Sequence, residues 1–199
     1  MRFKVKNFLF IFLLLMAFSV SCYAEKNEFI AQWYDFSKVK SIMFYPPDGS
    51  EIYNTIDARN AESIAKRVID DKIASDLSPA IRSYHMDALI KRIVTIENIN
   101  VFSVPEEEFG KLIYDKLPEY CDLTINVYPA DYGLQPEGAH CAIYFSVIDT
   151  KTEQEVWSRM DYRFKPKYTI FDNVDPKDIC ERIMNSFMSD FIDKLQEGR

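Results

Sequence analysis

Apolar residues recur along this chain with two different periods, and the change between them divides it. After Asp57, residues Ala61, Ile64, Ala65, Val68, Ile69, Ile73 and Leu77 follow at steps of three and four. Lys66, Arg67, Asp70 and Asp71 lie largely on the other side, so a helix with one buried face is expected, with Asp57 as its N-cap. Ser78-Pro79 resets the chain, because proline fits a first helical turn and cannot continue the preceding ladder. The spacing then predicts a helix over 79–94 that buries Ile81, Tyr84, Ala88, Leu89 and Ile93. A short strand is expected at 100–104. Beyond it Ser103 and Glu106 have the capping-box spacing, and Glu106, Glu107 and Glu108 suit the positive end of a helix dipole. Phe109, Leu112, Ile113 and Leu117 form the face of that third helix, which is expected to stop before Pro118.

From Leu123 the period falls to two. Leu123, Ile125 and Val127 alternate with Thr124, Asn126 and Tyr128, and Cys141, Ile143, Phe145 and Val147 alternate with Ala142, Tyr144, Ser146 and Ile148. Val156 to Phe164 continues the pattern beyond the polar turn Asp149 to Glu153. Three such runs in succession predict an antiparallel meander, apolar on one face and mixed on the other. The apolar face needs a helical cover. The last segment can supply it: Asp175-Pro176 reads as an N-cap with proline in the first turn, and Ile179, Ile183, Phe187, Phe191 and Leu195 follow at four-residue steps, reinforced by Met184, Met188 and Ile192. An earlier β-prone run, Val39 to Tyr45, ends in the turn residues Pro46-Pro47-Asp48-Gly49. Residues 25–38, with Phe29, Ile30, Trp33, Tyr34 and Phe36, fit neither period and are expected to form an irregular leading arm. The expected class is α/β (α+β): a single mixed sheet of about five strands in the order β-α-α-β-α-β-β-β-α, with helices packed on it.

The beginning of the chain follows a different logic. Arg2, Lys4 and Lys6 precede an unbroken apolar run from Phe8 to Ala17 and then small residues up to Ala24. That is the order of a secretory signal, and the run is shorter than the ~20 residues a membrane-spanning helix needs. Residues 1–24 are therefore expected to be a signal peptide, 25–38 the arm, and 39–199 one domain. Two processing routes are open. Cys22 and Ala24 suit an ordinary signal peptidase that cuts before Glu25, whereas Ser19-Val20-Ser21-Cys22 resembles a bacterial lipobox, in which Cys22 becomes the lipidated first residue. The expected location is the periplasm or cell envelope, with any membrane attachment made through a lipid on Cys22.

Charge narrows the partners. The full chain carries −7, and loss of three cations with the signal takes the remainder to −10. Such a surface repels phosphate backbones, so no nucleic acid is expected. Cys121, Cys141 and Cys180 show no metal or redox spacing and read first as buried apolar side chains; one disulfide with a leftover thiol is the other reading. His85 and His140 have no zinc-type neighbour one helical turn away, and adjacent residues His140 and Cys141 point to opposite faces of a strand. There is no nucleophile elbow and no glycine-rich phosphate loop. Neither catalytic nor metal residues are expected, nor a cofactor. Prolines and glycines cluster at 129–138, and Tyr132, Leu134 and Gln135 are expected at an exposed loop tip, a candidate partner-binding loop; the mixed sheet face and the leading arm are the other surfaces through which a partner could be bound.

A family resemblance enters at 107–163. Here a helix ends in Leu117-Pro118, Cys121-Asp122-Leu123-Thr124-Ile125-Asn126-Val127 follows, and after a hairpin Val147-Ile148-Asp149-Thr150-Lys151-Thr152 leads into Glu155-Val156-Trp157-Ser158. The stretch is similar to the amino-terminal domain of the Tol-Pal translocation protein and to curli-secretion-type and penicillin-binding-protein-activator lipoproteins. It implies an anticodon-binding-like α/β fold, an envelope address and work done by binding macromolecules, and it transfers no active-site residue. The function expected is that of a non-enzymatic exported accessory or assembly subunit that binds an envelope protein, in an oligomeric state left open. A periplasmic small-ligand or glycan-binding protein is the alternative, and a carboxylate-dependent hydrolase a third.

Overall fold

The computed structural model describes residues 23–47, 56–169 and 172–197. The expected signal peptide with Cys22, and the Asp48-Gly49 part of the expected first turn, lie outside the described residues. Six strands form one mixed sheet: β1 (Tyr23–Ile30), β2 (Ser41–Phe44), β3 (Arg82–His85), β4 (Leu123–Gln135), β5 (Gly138–Asp149) and β6 (Glu155–Pro166). Their spatial order is β1-β6-β5-β4-β2-β3. β2 runs parallel to both β3 and β4, while β4, β5, β6 and β1 are antiparallel neighbours. Four helices complete the fold: α1 (Ile56–Asp76), α2 (Met86–Ile96), α3 (Glu106–Tyr120) and α4 (Pro176–Gln196).

Helices cover the sheet unequally. On one face α1 and α4 lie side by side, and every apolar α4 position expected from the four-residue spacing is buried there. Phe187 stacks on Phe145 with ring centroids 3.9 Å apart, and Trp157 meets Phe187 and Phe191 edge to face. Side chains of that size contribute about 1.5–3 kcal/mol each when fully buried, so this layer is the main core. Asp175 caps α4 by accepting from the backbone N–H of Lys177 at 2.9 Å. On the other face, α2 and α3 cover the β2–β3 end and the neighbouring start of β4, where Met43, Leu89, Ile93, Ile113, Leu117 and Cys121 form a second, smaller core.

Several expectations change. The leading arm is not irregular: it forms β1 and then a 3-10 turn at Phe36–Lys38. Its strand was hidden because β1 is an edge with exposed residues from Glu25 to Phe29, so no apolar alternation marks it. The expected helix over 79–94 is split into β3 and α2, and Ala88 is exposed. No strand forms at 100–104, where the chain turns. The Ser103 capping box is not built either: Pro105 occupies the N-cap, and the glutamates keep only their favourable place in the first turn of α3. That helix runs through Pro118 to Tyr120. α1 starts at Ile56, so Asp57 lies within it and is not its cap. The order becomes β-β-α-β-α-α-β-β-β-α, with six strands where about five were expected.

Candidate functional site

The predicted loop at 129–138 is two long strands. β4 and β5 stay paired from Leu123↔Asp149 to Gln135↔Gly138, with a bulge between Pro129 and Asp131 and only Pro136 and Glu137 left to turn. The bulge absorbs the irregular composition that resembled a loop. It also decides where the candidate residues point. Tyr132 is only 5% exposed and belongs to the main core, so it cannot be a tip residue. Leu134 is 63% exposed and Gln135 is exposed, both at the far end of the hairpin.

The motif behind the family resemblance is a structural clasp. Asp122 accepts from the backbone N–H groups of Lys40 and Ser41, at 2.8 and 3.0 Å, which fixes the start of β2 beside β4. Thr150 donates to the carbonyls of Cys121 and Asp122, and Asp149 accepts from the N–H groups of Lys151 and Thr152 to shape the β5–β6 turn. All these groups are consumed in holding three chain segments together.

Register shows which surface remains. On the side away from α4, cross-strand rows run Phe29–Ser158–Ser146–Asn126, then Asn27–Met160–Tyr144–Tyr128, then Glu25–Tyr162–Ala142–Asp131. α3 reaches the β4 end of the first row, where Tyr114 and Leu117 share a pocket with Asn126, and the outer rows towards β1 carry exposed side chains. Phe29 is 49% exposed, and Tyr128 and Met160 more than a third. Tyr128 and Tyr144 stack with centroids 6.2 Å apart, and the Tyr144 and Ser146 hydroxyls both donate to Glu155. Partial burial, followed by the Glu155 contact, raises the Tyr144 phenol above its ordinary range. The stack and the shared Glu155 contact thus order the side chains of this ledge. His140 sits at its end, 3.1 Å from Asp131, its ring packed over Gly133.

The opposite face carries charge at its β1 edge. Arg159, 1% exposed, donates to Asp190 at 2.7 Å, Asp161 at 2.9 Å and Ser186 at 2.8 Å. Lys26 pairs with Glu28 at 3.0 Å, and Glu28 also accepts from the Trp157 indole at 3.2 Å. Beside them an open groove of about 630 Å³ runs between β1 and the end of α4. Four carboxylates, Glu28, Asp190, Asp193 and Glu197, line it. Glu28, Asp190 and Glu197 are paired with Lys26, Arg159 and Lys194 in turn. Among the described residues no group of three His, Cys, Asp or Glu side chains is placed to hold a metal, and no helix is long and apolar enough to cross a membrane.

No protein-family model and no curated protein sequence matches the chain. Solved structures with a related chain path include a PelC dodecamer from Paraburkholderia phytofirmans, with 9% identity and a TM-score of 0.48 over 88% of this chain and 99% of that one. The lipoprotein GNA1162 from Neisseria meningitidis gives 11% identity and a TM-score of 0.38, covering 75% and 96% of the two chains. Protein XCC0632 from Xanthomonas campestris gives 8% and 0.47, covering 84% and 92%. At these values no site residue passes from them to this chain.

Proposed function

We propose that this chain is a non-enzymatic accessory subunit of the bacterial cell envelope that binds a protein partner through the exposed face of β1, β6, β5 and β4. The observation that carries the reading is the exposure of that face, where Phe29, Met160 and Tyr128 are each more than a third exposed and Tyr128 stacks on Tyr144. Ordered aromatic and thioether side chains presented to solvent suit a protein surface. Charge points to the kind of partner. The ledge is apolar along Phe29, Met160, Tyr144 and Tyr128 and acidic at Glu25 and Asp131, on a chain of strongly negative balance. The complement is an envelope protein with an apolar contact centre and a basic rim.

The register also supports one processing route. β1 pairs from Tyr23, opposite Phe164, so a cut before Glu25 would remove two paired residues, while a cut before Cys22 leaves the strand whole. A lipidated Cys22 would join the anchor directly to an edge strand of the domain.

The test is site-specific photo-crosslinking in intact cells from positions 128 and 160, with a control position at Asp193 on α4. The expected result is one shared envelope protein captured from both ledge positions and not from the control. The capture should weaken when Asp131 and Glu25 are changed to lysine. Crosslinks only to a second copy of this chain, or only to glycan, would replace the proposed partner. Mass measurement of the mature amino terminus decides between the two processing routes.

A further inference from the structure

The three cysteines of the domain do not share one environment. Cys121 lies in the smaller core beneath α2 and α3, and its thiol donates to the carbonyl of Leu123 at 2.9 Å. Cys141 on β5 and Cys180 on α4 lie in the main core on the other side of the sheet, both fully buried. The two thiols are neighbours in that core, Cys180 being the group that acts most strongly on Cys141, and the Cys180 thiol lies 4.0 Å from the carbonyl of Ala61.

Element geometry accounts for that contact independently. Phe145 of β5 stacks on Phe187 of α4. Four residues back along the strand, at about 3.3 Å per residue, brings the chain to Cys141 on the same face. Seven residues back along the helix, two turns at about 1.5 Å per residue, brings it to Cys180 on the same side. The two displacements are about 13 and 10 Å, so a strand and helix that meet at the phenylalanines carry both cysteines into the same part of the main core. The sheet itself keeps Cys121 away from the pair.

We infer that Cys141 and Cys180 are joined by a disulfide in the exported protein, with Cys121 left as the unpaired thiol. The inference rests on the export reading, because thiols become disulfides in an oxidising compartment. The oxidant is the disulfide of a thiol-oxidoreductase protein. One cysteine thiolate attacks that disulfide and releases one donor sulfur as a thiol. The second cysteine then attacks the mixed disulfide, forms the Cys141–Cys180 bond and releases the other donor sulfur. Two electrons and two protons pass from the pair to the oxidant. The timing follows from burial. In the folded chain the Cys180 contact and then burial hold the Cys141 thiol far above its ordinary range, so it is inert there. Exchange therefore takes place while α4 is still settling on the sheet, and the bond closes the span from β5 to α4 around the main core.

The full chain, expressed with its own signal, is recovered from the envelope fraction, denatured in acid, alkylated with N-ethylmaleimide without reductant, and mapped by mass spectrometry together with its amino terminus. The expected outcome is alkylation of Cys121 and a linked pair of peptides containing Cys141 and Cys180. Reduction should lower Tm by roughly 5–15 °C, and should do so in Cys121→Ser but not in the double variant Cys141→Ala/Cys180→Ala. A processed amino terminus with all three thiols alkylated overturns the disulfide while leaving export intact. An uncleaved signal with three free thiols overturns the export reading and the disulfide with it.

Discussion

Arg159 on β6 holds Asp190 on α4 at 2.7 Å, and through this contact the last helix is fastened to the strands at the amino-terminal edge of the sheet. The guanidinium also binds Asp161, which is 2% exposed and is shared with Arg163 at 3.1 Å. Truncation of Arg159 leaves Asp161 buried with one cation lost, and removing a partner from a buried pair costs about 3–5 kcal/mol. Asp190→Asn removes a half-exposed partner while Asp161 and Ser186 remain, so a loss of about 1 kcal/mol or less is expected. Urea denaturation of Arg159→Ala and Asp190→Asn should separate them clearly. Similar midpoints would show that Arg159 owes its place to packing.

Gly138 and Gly110 should respond oppositely to alanine. A Cβ on Gly138, whose φ is +157°, would lie 2.3 Å from the Lys165 carbonyl oxygen, and backbone cannot move aside cheaply. A loss of about 1–3 kcal/mol is expected from this clash at the hairpin end. Gly110, in α3, has nothing within 4 Å of the added carbon. Alanine there should gain about 0.5–1 kcal/mol through helix propensity. Thermal melts of the two variants, shifted in opposite directions, would support both placements.

Alkaline pH should weaken the fold through Cys121. Burial first, then the charge of Asp122, pushes its thiol up from the ordinary 9.0 to about 12. A raised acid stays neutral in the folded chain while the unfolded chain ionises. Stability is therefore complete below about 9 and is lost as pH rises towards about 12, at up to about 1.4 kcal/mol per pH unit. Tyr34, raised by burial and by its hydrogen bond to Asp149, acts in the same direction at higher pH. Cys121→Ala should flatten the fall of Tm between pH 9 and 11. An unchanged slope would remove Cys121 as its source.

Substitution on the ledge should separate folding from binding. Tyr128→Ser and Met160→Ser change side chains more than a third exposed, and surface changes of this kind stay within about 0.5 kcal/mol. Both should melt with the parent chain and lose most partner crosslinking. A variant that binds normally would show that its side chain lies outside the contact.

Long periodic segments were legible in the sequence because burial writes the period directly. α4 is the clear case: its four-residue apolar steps, its cap and its proline all appear where they were expected. The hidden elements are those whose side chains are not set by burial on one face. β1 is an edge strand exposed from Glu25 to Phe29, and β3 is a four-residue edge strand that runs straight into α2. Tyr132 was misread for a related reason. Pro129, Gly133 and Pro136 look like loop chemistry, but a bulge keeps β4 in the ladder and turns Tyr132 inward. The ledge itself could be seen only as the mixed face of the meander, since which rows escape a helix depends on where α2 and α3 end. The contact of Cys141 with Cys180 needed three dimensions, because spacing along the chain says nothing of the helix that returns over β5.

For a chain exported as its opening residues imply, the pairing of β1 with β6 would have a consequence for transit across the membrane. Tyr23 finds its neighbour only at Phe164, and α4, which seals the core, follows every other described element in the chain. Closing so long a span is slow, and little rewards the early residues until the late ones arrive. A chain threaded amino terminus first would thus stay loose on the near side and gather itself only after nearly all of it has crossed. The strand next to the signal would be the first part through and among the last to find its place.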